Sequence, residues 1–181
     1  MRRWNGWGDD TINFAIPQSA LSLLESKIGR SITPNDISLK TIIKSVPESR
    51  LPDFALLNKT QEERLKHAAG QSLADWIALR GGGIKFFPDA VAFPYNEKDI
   101  TEIFNFAEQT DSIIIPYGGG TSVVGHLTVP KTEKPVISVD MSRMNKLLSI
   151  DKDGNTAAFQ AGINGADLEA ELRAVGFTLG H

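Results

Sequence analysis

The run Ile113-Ile114-Ile115-Pro116-Tyr117-Gly118-Gly119-Gly120-Thr121-Ser122 constrains this chain more than any other stretch. Three β-branched residues call for a strand, because their stiff side chains suit a pleated, buried surface. Proline and three glycines then end it. Each glycine held in one conformation gives up more backbone freedom than any other residue, so a triplet needs positive φ or a ligand against bare main chain. Successive amides in such a turn can converge on an anion, and Thr121 and Ser122 add hydroxyl donors beside them. The expectation is a buried strand running into a diphosphate cradle. A glycine-rich hairpin or crossover that holds nothing is the competing reading.

Two familiar phosphate loops fit poorly. The mononucleotide loop needs lysine and then Ser or Thr after its last glycine, whereas Gly120 runs directly into Thr121. The dinucleotide fingerprint needs G-x-G-x-x-G opening a helix. Gly118, Gly120 and Gly125 miss that spacing, and Leu127-Thr128-Val129-Pro130 does not start a helix.

Composition narrows the partners. A net charge of −3 over 181 residues argues against nucleic acid, whose phosphates demand clustered Lys and Arg, and Arg2-Arg3 is no patch. With no cysteine, disulfides, thiolate metal sites, iron–sulfur clusters and cysteine nucleophiles are excluded. No apolar run is long enough for a transmembrane segment, and Trp4-Asn5-Gly6-Trp7-Gly8-Asp9-Asp10 lacks the apolar core of a signal peptide. A cytoplasmic location is the expectation.

Residues 1–83 read as a helical extension. Leu21, Leu24 and Ile28 form a helical stripe ending at Gly29, and Thr33-Pro34-Asn35-Asp36 carries a cap, a first-turn proline and an acid. Thr60-Gln61-Glu62-Glu63 reads as a capping box for a helix burying Leu65, Ala69, Leu73, Trp76 and Ile77. The glycines at 81–83 serve as its stop. From residue 84 to 181 strands and helices alternate. Ala90-Val91-Ala92-Phe93 is a strand, and Asn96 caps a helix with Ile100, Ile103, Phe104 and Ala107 on one face. The strand into the glycine loop follows, then a strand from Val136 to Met141. A hairpin turns at Asp153-Gly154, and a last helix starts after Asn164, with Leu168, Leu172 and Val175 on its stripe. The fold class is α+β.

Other candidate groups have plainer roles. The close carboxylate pairs Asp9-Asp10, Glu62-Glu63 and Asp151/Asp153 sit at a terminus, in a helix's first turn and around a hairpin. His67, His126 and His181 lack metal-ligand spacing, so no metal site is expected. Trp4 and Trp7 read as packing anchors. Arg143 reads as a surface arginine, with an anion contact as the alternative.

The segment Pro116 to Ser122 resembles the pyrophosphate loop of the FAD-binding domain in the vanillyl-alcohol oxidase/p-cresol methylhydroxylase (PCMH) superfamily. The opening Arg3-Trp4-Asn5-Gly6-Trp7-Gly8, with Phe87-Pro88-Asp89-Ala90-Val91, Asp140-Met141-Ser142-Arg143-Met144-Asn145 and Ala161-Gly162-Ile163-Asn164-Gly165, is similar to the alkyldihydroxyacetonephosphate synthase branch. The resemblance implies that 84–181 is the first α/β subdomain of a PCMH-type FAD-binding domain, cut at Gly180-His181, with a substrate domain and catalytic residues lying beyond. It implies FAD on Pro116, Tyr117, Gly118, Gly119, Gly120, Thr121 and Ser122. Thr121 stands where covalent flavin binders of the superfamily often carry histidine, so the resemblance implies non-covalent FAD.

The activity implied is exchange of the acyl group of acyl-dihydroxyacetone phosphate for a long-chain alcohol in ether lipid synthesis. The expected partners are FAD and a small-molecule or lipid-like substrate, with a homodimer left open. An FAD-linked dehydrogenase or oxidase of a small 2-hydroxy acid such as D-lactate or glycolate is the alternative. A non-catalytic binding module is the third reading.

Overall fold

A computed structural model describes residues 3–30 and 35–180. It is an α+β arrangement in which a four-stranded sheet carries the glycine loop at one edge. The sheet has the order β1-β2-β4-β3, made from β1 (Leu57–Asn58), β2 (Ala90–Ala92), β3 (Ile113–Tyr117) and β4 (Val136–Asp140). Strands β2 and β3 both run parallel to β4, with Ala90 opposite Ile137 and Tyr117 opposite Asp140. Only β1 is antiparallel, pairing with β2. The C-terminal ends of β2, β4 and β3 therefore lie side by side, and all three feed loops to the same edge.

Position in the sheet explains burial better than side-chain type does. Central β4 is buried throughout, as expected of a strand covered on both faces. The isoleucines of β3, expected to be buried, are only half-buried because β3 lies at the end of the sheet order.

Helix α5 (Glu97–Gln109) connects β2 to β3 and is capped by Asn96, whose side chain accepts from the Asp99 amide. Ile103 and Ala107 pack on the sheet with Ala92, Ile137 and Val139. Phe104, expected on that face, is 58% exposed. Phe106 packs instead, its ring stacked 4.5 Å from Phe54 in the chain leading to β1.

Before β2 the chain differs from expectation in several places. Helix α1 (Gln18–Ile28) ends at Gly29 with φ 74°, yet it buries no residue, and Leu24 and Ile28 of its apolar stripe are exposed. Thr33 and Pro34 lie outside the described residues, and the next helix, α2 (Leu39–Ile42), is capped by Ser38. Asp36 sits in irregular chain and accepts from Asn5 Nδ2 at 3.1 Å.

The single long helix expected after Thr60 is two helices, α3 (Gln61–Lys66) and α4 (Leu73–Gly81). Thr60 makes no capping hydrogen bond, because its hydroxyl donates to Asn58 Oδ1 at 2.8 Å. The capping box belongs to Ser72 and Asp75 at the start of α4. This break turns Leu73 and Ile77 outward, at 71% and 65% exposure, and leaves Leu65, Ala69 and Leu79 in a core with Ile42, Val46 and Phe87. Gly82 ends α4 in the left-handed conformation, φ 69°, as its glycine triplet suggests.

Beyond β4, a hairpin of β5 (Leu147–Asp151) and β6 (Thr156–Phe159) forms a separate two-stranded sheet. Its left-handed turn residue is Asn155, φ 51°, and the Asp153 and Gly154 amides donate to Asp151 Oδ1. Helix α6 (Gly165–Ala174) is capped by Asn164 and buries Leu172, while Val175 is 38% exposed. Among the described residues no helix is long and apolar enough to cross a membrane.

Candidate functional site

In parallel sheets the crevice outside the carboxyl ends of the strands is where ligands bind. Here that edge carries Phe93 and Tyr95 after β2, Asp140 to Arg143 at the end of β4, and Tyr117 to Ser122 leaving β3.

The glycine loop is open outward and anchored underneath. A Cβ placed on Gly118 meets nothing within 4 Å, and one on Gly119 meets only Thr121 Cγ2 at 3.5 Å. Gly120 is buried, with φ 66°, a backbone that favours glycine. The amides of Gly119, Thr121 and Ser122 donate to no group among the described residues. Thr121 is exposed, so its hydroxyl adds a donor at the same opening. Unused N–H groups over an open face suit a diphosphate.

The anchoring comes from the break between α3 and α4. Gln71 donates its amide to Ser122 O at 2.7 Å, and Val129 donates to Ala68 O at 3.2 Å. A Cβ on Gly70 would stand 2.6 Å from Ser122 O, so only glycine lets the two backbones approach this closely. The Ser122 hydroxyl accepts from the His126 amide at 3.3 Å, pinning the far side of the loop. His126 itself is exposed.

Of the seven residues expected to hold the ligand, Gly118, Gly119 and Thr121 form the open rim, Gly120 is buried between them and Ser122 is the anchor. Pro116 is exposed on the edge strand. The Tyr117 side chain is 1% exposed and turns beneath the loop, its hydroxyl donating to Lys66 O at 3.3 Å and its ring lying 4.4 Å from that of His67.

His67 and Asp140 were not legible as a pair. The His67 ring spans the α3 end and the β4 end, with Nδ1 2.8 Å from Glu63 O and Nε2 2.8 Å from Asp140 Oδ2. Asp140 Oδ1 accepts from the Ser142 amide at 2.8 Å. Burial alone would push the Asp140 carboxyl up. The His67 and Ser142 hydrogen bonds outweigh it and hold the carboxyl below its ordinary value.

Arg3, Trp4, Gln71, Tyr117 and these two residues line a cavity of about 290 Å³. The tryptophan-rich opening of the chain thus meets the floor of the loop. Trp4 packs against the core beside it, while Trp7 is 52% exposed. Arg143 is exposed, its guanidinium over the rings of Phe93 at 4.8 Å and Tyr95 at 4.7 Å. A partly desolvated ring face attracts such a cation. Among the described residues no group of His, Asp or Glu could hold a metal ion.

Comparison with known proteins gives the family. A family described as an FAD binding domain matches residues 88–181. Alkyldihydroxyacetonephosphate synthase of Caenorhabditis elegans is 45% identical over 208 residues, covering 99% of this chain and 35% of its own length. A solved structure of an alkyldihydroxyacetonephosphate synthase superposes with a TM-score of 0.77 at 27% identity, covering 99% of this chain and 40% of that one. Mitochondrial D-lactate dehydrogenase (cytochrome) of Arabidopsis thaliana is 30% identical over 89 residues, 49% of this chain and 15% of its own length. The chain therefore spans about 35% of the length of the synthase it matches. The residues present fit FAD, since amides with no partner among the described residues and a rim at Gly118 and Gly119 free of side chains suit a dinucleotide's diphosphate.

Proposed function

The chain belongs to the FAD binding domain family, and from that premise we propose that it is the diphosphate-holding part of an alkyldihydroxyacetonephosphate synthase. In this reading the enzyme exchanges the acyl group of acyl-dihydroxyacetone phosphate for a long-chain alcohol in ether lipid synthesis. The observation that carries it is the reach of the likeness: the synthase match covers 99% of the chain, the D-lactate dehydrogenase match 49%.

FAD, held non-covalently, supplies the difficult chemistry at its ring system. This chain's residues bind and orient. The Gly119, Thr121 and Ser122 amides donate to diphosphate oxygens, with the Thr121 hydroxyl beside them. Gly70, Gln71 and Tyr117 hold the loop from below, so that its donors need no rearrangement on binding. Thr121 offers no ring nitrogen for a covalent link to flavin, and His126 is engaged through its amide at the loop's far end.

A D-2-hydroxy-acid dehydrogenase is the second reading, favoured by the D-lactate dehydrogenase likeness. One experiment separates the two. The full-length, flavin-loaded protein is held anaerobically while its visible absorbance is followed on adding D-lactate, D-2-hydroxyglutarate and glycolate. Labelled long-chain alcohol and acyl-dihydroxyacetone phosphate are supplied in parallel. The synthase reading predicts an unchanged spectrum with the acids and label in the ether product. Rapid bleaching by any of the acids, without label exchange, establishes the dehydrogenase.

A further inference from the structure

At the opposite edge of the sheet from the glycine loop, where β2 and β4 begin, Arg64 is buried at 2% exposure. Its Nε donates to Pro88 O at 2.7 Å and its Nη1 to Pro47 O at 2.6 Å. Both acceptors are neutral. Among the described residues Arg64 has no carboxylate within ion-pair distance, and Nη2 has no hydrogen-bond partner. Burial pushes its guanidinium below the ordinary value, the mark of a charge lacking full compensation.

The nearby Asp89 attracts the guanidinium but makes no hydrogen bond to it, and burial still outweighs the attraction. Its Oδ1 accepts from Arg50 N and Nε at 3.0 and 2.9 Å, and its Oδ2 from Arg50 Nη2 at 2.7 Å and Val136 N at 2.8 Å. Arg50 is itself saturated by Asp89 and the carbonyls of Thr132, Glu133 and Lys134. Arg64 lines a cavity of about 270 Å³ with this closed pair, Lys85 and Glu48. Lys85 and Glu48 are exposed and form no hydrogen bond or ion pair among the described residues. Two cations are thus left facing one solvated carboxylate on the rim.

We propose that this cavity binds a small phosphate-type oxyanion between Arg64 and Lys85. The free edge of a fixed guanidinium matches two oxyanion oxygens, and a mobile ammonium adds a point charge. The volume falls below the range of pockets for drug-sized ligands, which suits a single anionic group.

The test uses the flavin-loaded, full-length protein, so that the glycine loop is filled. Inorganic phosphate is titrated against sodium chloride of matched ionic strength while thermal unfolding is followed. The expected result, with phosphate alone, is a rise in Tm of about 2–4 °C that grows with the logarithm of phosphate concentration above the dissociation constant. Lys85→Gln should keep the phosphate-free Tm and weaken phosphate binding about tenfold, the loss of one charge contact worth about 1.4 kcal/mol. Arg64→Gln should abolish the response. Because Arg64 also ties down two carbonyls, the exposed Lys85 variant decides if that protein fails to fold. No phosphate effect beyond that of chloride, or one undiminished in Lys85→Gln, overturns the proposal.

Discussion

A methyl group on Gly70 would stand 2.6 Å from the carbonyl oxygen of Ser122, although the two residues belong to different parts of the chain. That close approach joins the break between α3 and α4 to the loop proposed to hold the cofactor. Gly70→Ala must push the loop away or shift the α3–α4 connection. We expect a loss of about 1–3 kcal/mol in stability, typical of overpacking, together with weaker FAD binding because the loop's donors move. Urea unfolding and FAD titration of the variant check both. A substitution that changes neither shows that Gly70 does not set the loop.

The His67–Asp140 contact, 2.8 Å long and almost out of water, should behave as a buried pair. His67→Leu strands the Asp140 carboxylate and should cost about 3 kcal/mol. Adding Asp140→Asn removes the stranded charge while keeping an acceptor for the Ser142 amide. The double variant should therefore be more stable than His67→Leu alone, measured by a double-mutant cycle in urea. Purely additive losses would show that the two groups are not coupled.

Acid should weaken the fold through Asp89 and Asp140. Burial would raise both carboxyls, but hydrogen bonds from Arg50 and Val136 to one and from His67 and Ser142 to the other hold them below 3.8, the ordinary value. A carboxyl with a depressed folded value contributes stability that is complete above its unfolded value. That contribution is lost as pH falls through the folded value. The urea midpoint should therefore fall as pH drops below about 4, and Asp89→Asn should flatten part of that fall. An unaltered slope in the variant would remove Asp89 from the account.

The sequence revealed most of what depends on neighbours along the chain. The Asn96 and Asn164 caps, the β3 loop, and the glycine stops at Gly29 and Gly82 all follow from local chemistry. The errors arise where competing local contacts or packing decide. Thr60 looks like a cap, but Asn58 takes its hydroxyl, whereas the signature at Ser72 and Asp75 was equally readable and is the one used. Phe104 fits the helical stripe as well as Phe106 does, and only the position of Phe54 selects between them. At the site, the glycine rim was legible from the order of residues 113–122. Its floor was not, because Gly70, His67 and Tyr117 meet only after the sheet brings β3 and β4 together. The histidine and aspartate are 73 residues apart, and no periodicity links them.

The central claim is that the amides of the glycine loop hold the FAD diphosphate, and Gly119→Val tests it most directly. A Cβ there meets only Thr121 Cγ2 at 3.5 Å, so the folded protein has room for it, and in the proposed site the added side chain crowds the diphosphate. The measurement is the FAD dissociation constant of the full-length protein and its variant, with urea unfolding of both apoproteins as the control for folding. The account predicts nearly unchanged stability and FAD binding weakened at least about a hundredfold, equivalent to about 2.8 kcal/mol. Equal FAD affinity in a folded variant would contradict it and place the diphosphate elsewhere.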